Sequence, residues 1–264
     1  MSQTKYTTKL SEKNILILGG TSGVGFCVAE ATLEHGATVF ISGSNPTRLA
    51  TALARLRTAY PSLSANISGA TCDLSDLANV ETNLTALFDK VTEHKTKKLD
   101  HIVFTAGDAL KFPTIAEATP AAVLGLANVR FIGAIMVAKL VPAYMSLVPA
   151  SSFTLTGGSN TQKPFPGWAV IAGWGGATEG LARGLAVDLA PLRVNMVNLG
   201  VVRTELFDSL PAEVLEKALE GWRQQTTVKA IGRPEDVAEA YLYCMRDRFV
   251  AGATIETNGG RLLV

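Results

Sequence analysis

Short apolar runs recur along the chain: Asn14 to Leu18, Thr38 to Ile41, Ile67 to Thr71, Ile102 to Thr105, Phe153 to Thr156, Val194 to Asn198 and Thr254 to Glu256. Longer segments lie between them, with apolar residues returning every three or four positions, the period of a half-buried helix. A strand reached through such a helical crossover lies parallel to its predecessor, almost always with a right-handed connection. The pattern predicts a doubly wound α/β fold around a parallel sheet. No Ser/Pro-rich linker, low-complexity tract or repeat divides the chain, so residues 1–264 read as a single domain. Ligands of such sheets bind beyond the carboxyl ends of the strands, which makes the residues just after each run the ones to read for chemistry.

Composition narrows the partners. With 47% apolar residues, 18% charged residues and a net charge of +1, the chain is neither disordered nor equipped with the basic footprint of a nucleic-acid binder. The longest apolar stretch, Ala121 to Val148, is broken by Asn128, Arg130, Lys139 and Pro142. A charge at a bilayer centre costs at least about 2.5 kcal/mol, so the stretch reads as a buried helix and no membrane partner is expected. Cys27, Cys72 and Cys244 lie far apart and are odd in number, which fits a reducing compartment. The polar start lacks an apolar signal core, so a cytoplasmic location is expected. His35, His94 and His101 show no ligand spacing, and no metal site is expected.

After the first run comes Gly19-Gly20-Thr21-Ser22-Gly23-Val24-Gly25, opening a helix. Glycines there let the backbone turn and approach a pyrophosphate, whose charge the free amides and helix dipole stabilise. Gly19, Thr21, Ser22, Gly23, Val24 and Gly25 are therefore candidate cofactor-binding residues; the alternative is a glycine turn serving only tight packing. The second run ends in Ser42-Gly43-Ser44-Asn45, without the Asp or Glu that holds the ribose hydroxyl of NAD. Ser42, Ser44 and Asn45 can bond a 2′-phosphate, with Arg48 as charge partner, so the expected cofactor is NADP(H). Alternatively, Asn45-Pro46 starts the next helix and Arg48 is solvated.

These residues resemble the short-chain dehydrogenase/reductase family, and the resemblance covers nearly the whole chain. It extends to Cys72-Asp73-Leu74, where the family has its adenine pocket, and to Thr105-Ala106-Gly107 in the loop after strand four. Arg193-Val194-Asn195, Asn198-Leu199-Gly200-Val201 and Thr204 match segments near the nicotinamide. The resemblance implies a Rossmann-type sheet of seven parallel strands and cofactor contacts from Asp73, Leu74, Ala106, Gly107, Gly200, Val201 and Thr204. It also implies a homotetramer packed through helices at Thr119 to Leu147 and Trp174 to Leu189. The family's Asn, Ser, Tyr, Lys catalytic set is missing. Ile171 stands at the Tyr position, Gly175 at the Lys position and Arg130 at the Asn position. Gly158 stands at the Ser position, with Ser159 or Thr156 as possible substitutes.

The chemical consequence follows without the family. Ketone reduction develops charge on oxygen, and a general acid there contributes typically 10² to 10⁴ in rate, or about 3 to 5 kcal/mol. Ile171 and Gly175 can deliver no proton. An iminium carbon already carries the charge that attracts hydride, and its reduction gives a neutral amine.

The catalytic candidates are Arg130, Asp108 and Trp168. Arg130 shares a helical face with Leu126, Ala127, Ala134 and Val137, and needs a partner, either Asp108 or an anionic or carbonyl-bearing substrate. A purely structural Arg–carboxylate pair is the alternative. Trp168 ends the stiff loop Lys163-Pro164-Phe165-Pro166-Gly167-Trp168 and either stacks on an aromatic substrate, faces a cation or anchors the loop. Together these features resemble the fungal bifunctional reductase/Diels–Alderases of malbrancheamide- and paraherquamide-type indole alkaloid pathways. That subgroup carries Asp where this chain has Phe165. The resemblance implies NADPH reduction of a cyclic iminium and an intramolecular [4+2] cyclisation. The segment from Thr204 to Val228, with Leu206, Phe207, Leu210, Leu215 and Trp222, falls at the family's substrate lid and suits a large hydrophobic small-molecule substrate such as a prenylated indole dipeptide; Leu206 and Leu215 read as core. A catalytically silent NADP(H)-binding regulator and an ordinary carbonyl reductase with a substitute donor are the competing functions.

Overall fold

The computed structural model describes residues 4–107, 112–208 and 211–264. Its strands are β1 (Asn14–Leu18), β2 (Thr38–Gly43), β3 (Ile67–Thr71), β4 (His101–Phe104), β5 (Ser152–Gly158), β6 (Arg193–Leu199) and β7 (Thr254–Thr257). All pair in parallel in one sheet, ordered β3-β2-β1-β4-β5-β6-β7. Alternation along each strand feeds two cores. Leu16, Leu18, Ile102, Phe104, Phe153 and Leu155 face one side, Ile15, Ile17, Val39, Ile41 and Val103 the other. Burial on both faces is what made the runs continuous rather than alternating.

Helices α1 (Gly23–Glu34) and α2 (Pro46–Ala59) cover one face, and α3 (Val80–Val91) covers the other. The helix expected from Thr119 to Leu147 is instead three pieces: α4 (Pro120–Gly125), a π-helical turn (Asn128–Gly133) and α5 (Ala134–Tyr144). In the turn Ile132 N–H reaches back to Ala127 O at 2.8 Å, a five-residue step, and Arg130 sits inside it. Such bulges re-aim side chains and gather at functional sites. The next helix, α6 (Ala169–Asp188), begins earlier than expected.

The expected lid is a 3₁₀ turn, Glu205–Phe207, followed by α7 (Ala212–Gln224), with α8 (Pro234–Arg246) returning to the sheet beside α1. Phe207, Leu215 and Leu219 form a small separate core with Trp222. Leu215 is buried as expected, but Leu206 is 42% exposed and borders the cleft rather than the core. Leu210 lies outside the described residues. The Arg193 segment also departs from expectation, because it sits at the opening end of β6, away from the strand's carboxyl end. There Arg193 donates to the carbonyls of Pro149, Cys244, Met245 and Val250, and Asn195 to Val250, so both tie α8 and the neighbouring loops to the sheet. Among the described residues no helix is long and apolar enough to cross a membrane.

His101 on β4 is 1% exposed, with Nδ1 at 2.8 Å from Ser152 Oγ. Burial first, then the charges of Arg193 and Lys13, hold its imidazole down at about 3. The unfolded chain binds this proton near pH 6.5 and the folded chain does not, so the stability present above 6.5 is lost as pH falls toward 3. The expected loss is at most about 1.4 kcal/mol per pH unit. Chemical denaturation of His101→Gln between pH 7 and 4.5 should show a shallower pH dependence than the wild type; identical slopes would refute this.

Candidate active site

Because β2 lies on one side of β1 and β4 on the other, successive connections leave in opposite directions and a crevice opens at the carboxyl ends of the strands. A cleft of about 920 Å³ fills it. The glycine loop forms its floor by close contact. Gly19 has φ +87°, and a Cβ there would lie 2.5 Å from Ala106 N and 2.7 Å from Thr105 C. A Cβ on Gly25 would strike Gly19 O and Thr105 Oγ1. Tight packing is therefore one real function of these glycines. The loop also leaves the start of α1 bare, for Ser22 makes no capping bond and the first turn holds no acidic residue. The turn Glu205–Phe207 supplies an acid instead: Gly23 N–H donates to Glu205 Oε2 at 2.9 Å.

Gly19, Thr21, Ser22, Gly23, Val24, Gly25, Ser42, Ser44, Arg48, Asp73, Leu74, Ala106, Gly107, Gly200, Val201 and Thr204 all line this cleft. Ser42 Oγ is buried with no hydrogen-bond partner. Asn45 does not line the cleft. Its Oδ1 accepts from Arg48 N–H at 2.9 Å and caps α2, the alternative reading of this residue. Thr51 and Arg55, which the sequence reading missed, line the cleft one and two turns beyond Arg48. The Arg55 guanidinium lies 4.2 Å over the Phe26 ring and 4.0 Å from Glu205. The Asp73 carboxyl accepts from Ser75 N–H and Oγ–H, which hold it below the usual carboxylate range.

The other end is aromatic. Trp168 meets Phe112 edge-on at 4.9 Å and Phe165 at 5.2 Å, and Phe131 leans on Trp174 at 5.4 Å. Trp174 is fixed by Nε1–H donating to Val123 O at 2.9 Å. Arg130 lines this end, its guanidinium so close to Gly107 that a Cβ on Gly107 would strike it. Asp108, its expected partner, lies outside the described residues.

A model of the SDR-like Rossmann domain matches residues 6–264. The chain belongs to the short-chain dehydrogenase/reductase family. The short-chain dehydrogenase/reductase malC of Malbranchea aurantiaca is 46% identical over 256 residues, 96% of each chain. The structure described as the MalC reductase/Diels–Alderase of that organism matches with a TM-score of 0.93, covering 98% of this chain and all of that one. The short-chain dehydrogenase/reductase ucsE of an Acremonium species is 38% identical, covering 98% of this chain and 99% of that protein.

In this member of the family, Ile171 and Gly175 face the cleft. Thr161 occupies the room beside Gly175, where a Cβ would strike its Oγ1. Gly158 borders the cleft without a side chain, and the Ser159 hydroxyl accepts from Arg261 at 3.4 Å. Thr156 also lines the cleft, its Oγ1 at 2.7 Å from the hydroxyl of Tyr241 on α8. Tyr241 is fully buried, and burial raises its phenol above the ordinary value, a poor acid at neutral pH. Among the described residues at this end Arg130 is the only ionisable side chain on the cleft wall, and a guanidinium keeps its proton.

The contact under Gly19 is tested by Gly19→Ala. Positive φ and the collision with Ala106 should together lower stability by about 2–4 kcal/mol in chemical denaturation. An unchanged midpoint would show that the loop is not seated as described.

Proposed function

We propose that this enzyme uses NADPH to reduce a cyclic iminium intermediate of indole alkaloid biosynthesis and then guides an intramolecular [4+2] cyclisation of the product. The observation that supports the reading is the character of the aromatic end, where Ile171 and Gly175, which the resemblance aligns with the family's phenol and amine, offer no proton beside an Arg that cannot give up its own. The reading agrees with the activity named for the MalC structure.

The residues present fit NADP(H). The start of α1, which its own residues leave uncapped, suits a pyrophosphate that takes the place of the Glu205 carboxylate, and the unpartnered Ser42 hydroxyl, with Ser44, Arg48 and Arg55, suits a 2′-phosphate. No carboxylate stands at the end of β2 to repel that phosphate. Bound NADPH supplies the hydride. Arg130 donates to a carbonyl oxygen of the substrate, Trp168 faces its cationic carbon–nitrogen end, and Phe112, Phe131 and Trp174 surround the indole. An aromatic cleft of this kind excludes water and holds a flexible diene and alkene in reacting geometry, an orientation effect that lowers a barrier by several kcal/mol with no acid or base.

One observation favours a second reading: the Thr156–Tyr241 hydroxyl pair could stand in as donor for a carbonyl substrate. Parallel assays separate the two. An N-alkylated cyclic iminium should drive NADPH oxidation, a ketone of similar size should not, and Tyr241→Phe should leave the iminium rate unchanged. Arg130→Ala and Trp168→Ala should each lower kcat/KM roughly 2- to 30-fold with NADPH affinity preserved. Ketone turnover that Tyr241→Phe abolishes would establish the second reading. Ile171→Tyr with Gly175→Lys should raise ketone turnover only when Thr161→Ala clears the space.

A further inference from the structure

The C-terminal turn holds a cation that the proposed reaction leaves unused. Arg261 opens the 3₁₀ turn Arg261–Leu263 and is 2% exposed. Its Nη1 donates to Ser159 O and Oγ, both at 3.4 Å, while Nε is buried with no partner. Among the described residues no carboxylate pairs with it. A guanidinium remains charged even so. Besides those two oxygens a ring compensates it: Arg261 Cζ lies 4.1 Å from the centroid of Phe165.

Phe165 is a wall of the cleft, edge-on to Trp168 at 5.2 Å and tilted against Trp222 at 6.2 Å. The turn beneath it is tied to both sides of the substrate end. Lys163 Nζ donates to Arg261 O at 3.1 Å, which joins it to the Phe165 loop. Thr227 N–H and Oγ–H donate to Gly259 O at 2.9 and 3.0 Å, which joins it to the segment following α7.

We infer that Arg261 is a positioning and specificity-determining residue: it fixes the Phe165 wall and reserves that wall for a neutral, electron-rich aromatic ring, turning the cationic end of the substrate away. A cation bound to one face of a ring draws its π density toward itself. A second cation on the exposed part of the ring then meets a weakened quadrupole and a like charge, whereas an electron-rich ring gains. The inference rests on the proposed cationic, indole-bearing substrate, but its test needs no turnover.

The test measures two unreactive ligands with the same ring system and similar size on the NADP⁺-loaded protein by calorimetry: neutral N-acetyl-tetrahydro-β-carboline and permanently charged N,N-dimethyl-tetrahydro-β-carbolinium. The wild type should prefer the neutral ligand. Arg261→Met should shift the ratio of affinities toward the cation by about 5- to 30-fold. Arg261→Lys, which keeps the charge, should retain the wild-type ratio. Phe165→Leu should cancel most of the effect of Arg261→Met in the double variant. NADP⁺ affinity within about twofold of wild type certifies each fold. An unchanged ratio in Arg261→Met overturns the inference, as does failure of both ligands to bind the wild type. Should Arg261→Met not fold, a wild-type ratio in Phe165→Leu overturns it. A shifted ratio without iminium reduction would sink the proposed reaction alone.

Discussion

The cleft depends on one constraint, the approach of the glycine loop to the crest of β4. Gly19 lies against the backbone of Thr105 and Ala106, and Gly25 against the Gly19 carbonyl and the Thr105 hydroxyl, with no room for a single methyl group. That contact seats the helix at the point where the sheet's connections diverge. It sets the position of the amides at one end of the cleft and of Gly107, hence of the Arg130 guanidinium, at the other.

The two ends of the cleft follow different chemistry. Around α1 and α2 the lining is hydroxyls, amides and arginines, groups that recognise phosphates by hydrogen bond and charge. Around α6 it is rings, with one guanidinium held by a π-helical turn. Two of the hydroxyl groups there are directed elsewhere, Thr156 to buried Tyr241 and Ser159 to Arg261, and that of Thr161 is buried. A substrate that needs a proton finds few donors in reach, while one that arrives charged finds faces to lie against.

The strands were legible because a parallel sheet buried on both sides writes itself as unbroken apolar runs, and the glycine loop because few residues other than glycine tolerate such contacts. Other features left no local trace. A π-helical step shifts the apolar repeat by a single residue, so the Thr119 to Leu147 segment read as one helix although Arg130 sits on a bulge. Asn45 was ambiguous because capping a helix and binding a phosphate call for the same residue type, and only geometry separates them. Arg48, Thr51 and Arg55 share one face of α2, a spacing that could have revealed Arg55. Leu206 reads as core because an apolar side chain that lines a ligand cleft has the same composition as one in a core. The Arg261–Phe165 stack joins residues far apart in the chain, beyond any periodicity.

One contact joins the two rims. Glu205 opens the 3₁₀ turn that precedes α7, yet its carboxylate holds the first amide of α1 and lies beside Arg55 of α2. The protein's own acid thus occupies the amide that an incoming polyphosphate would seek, and an anion settling there would have to take the place of that carboxylate.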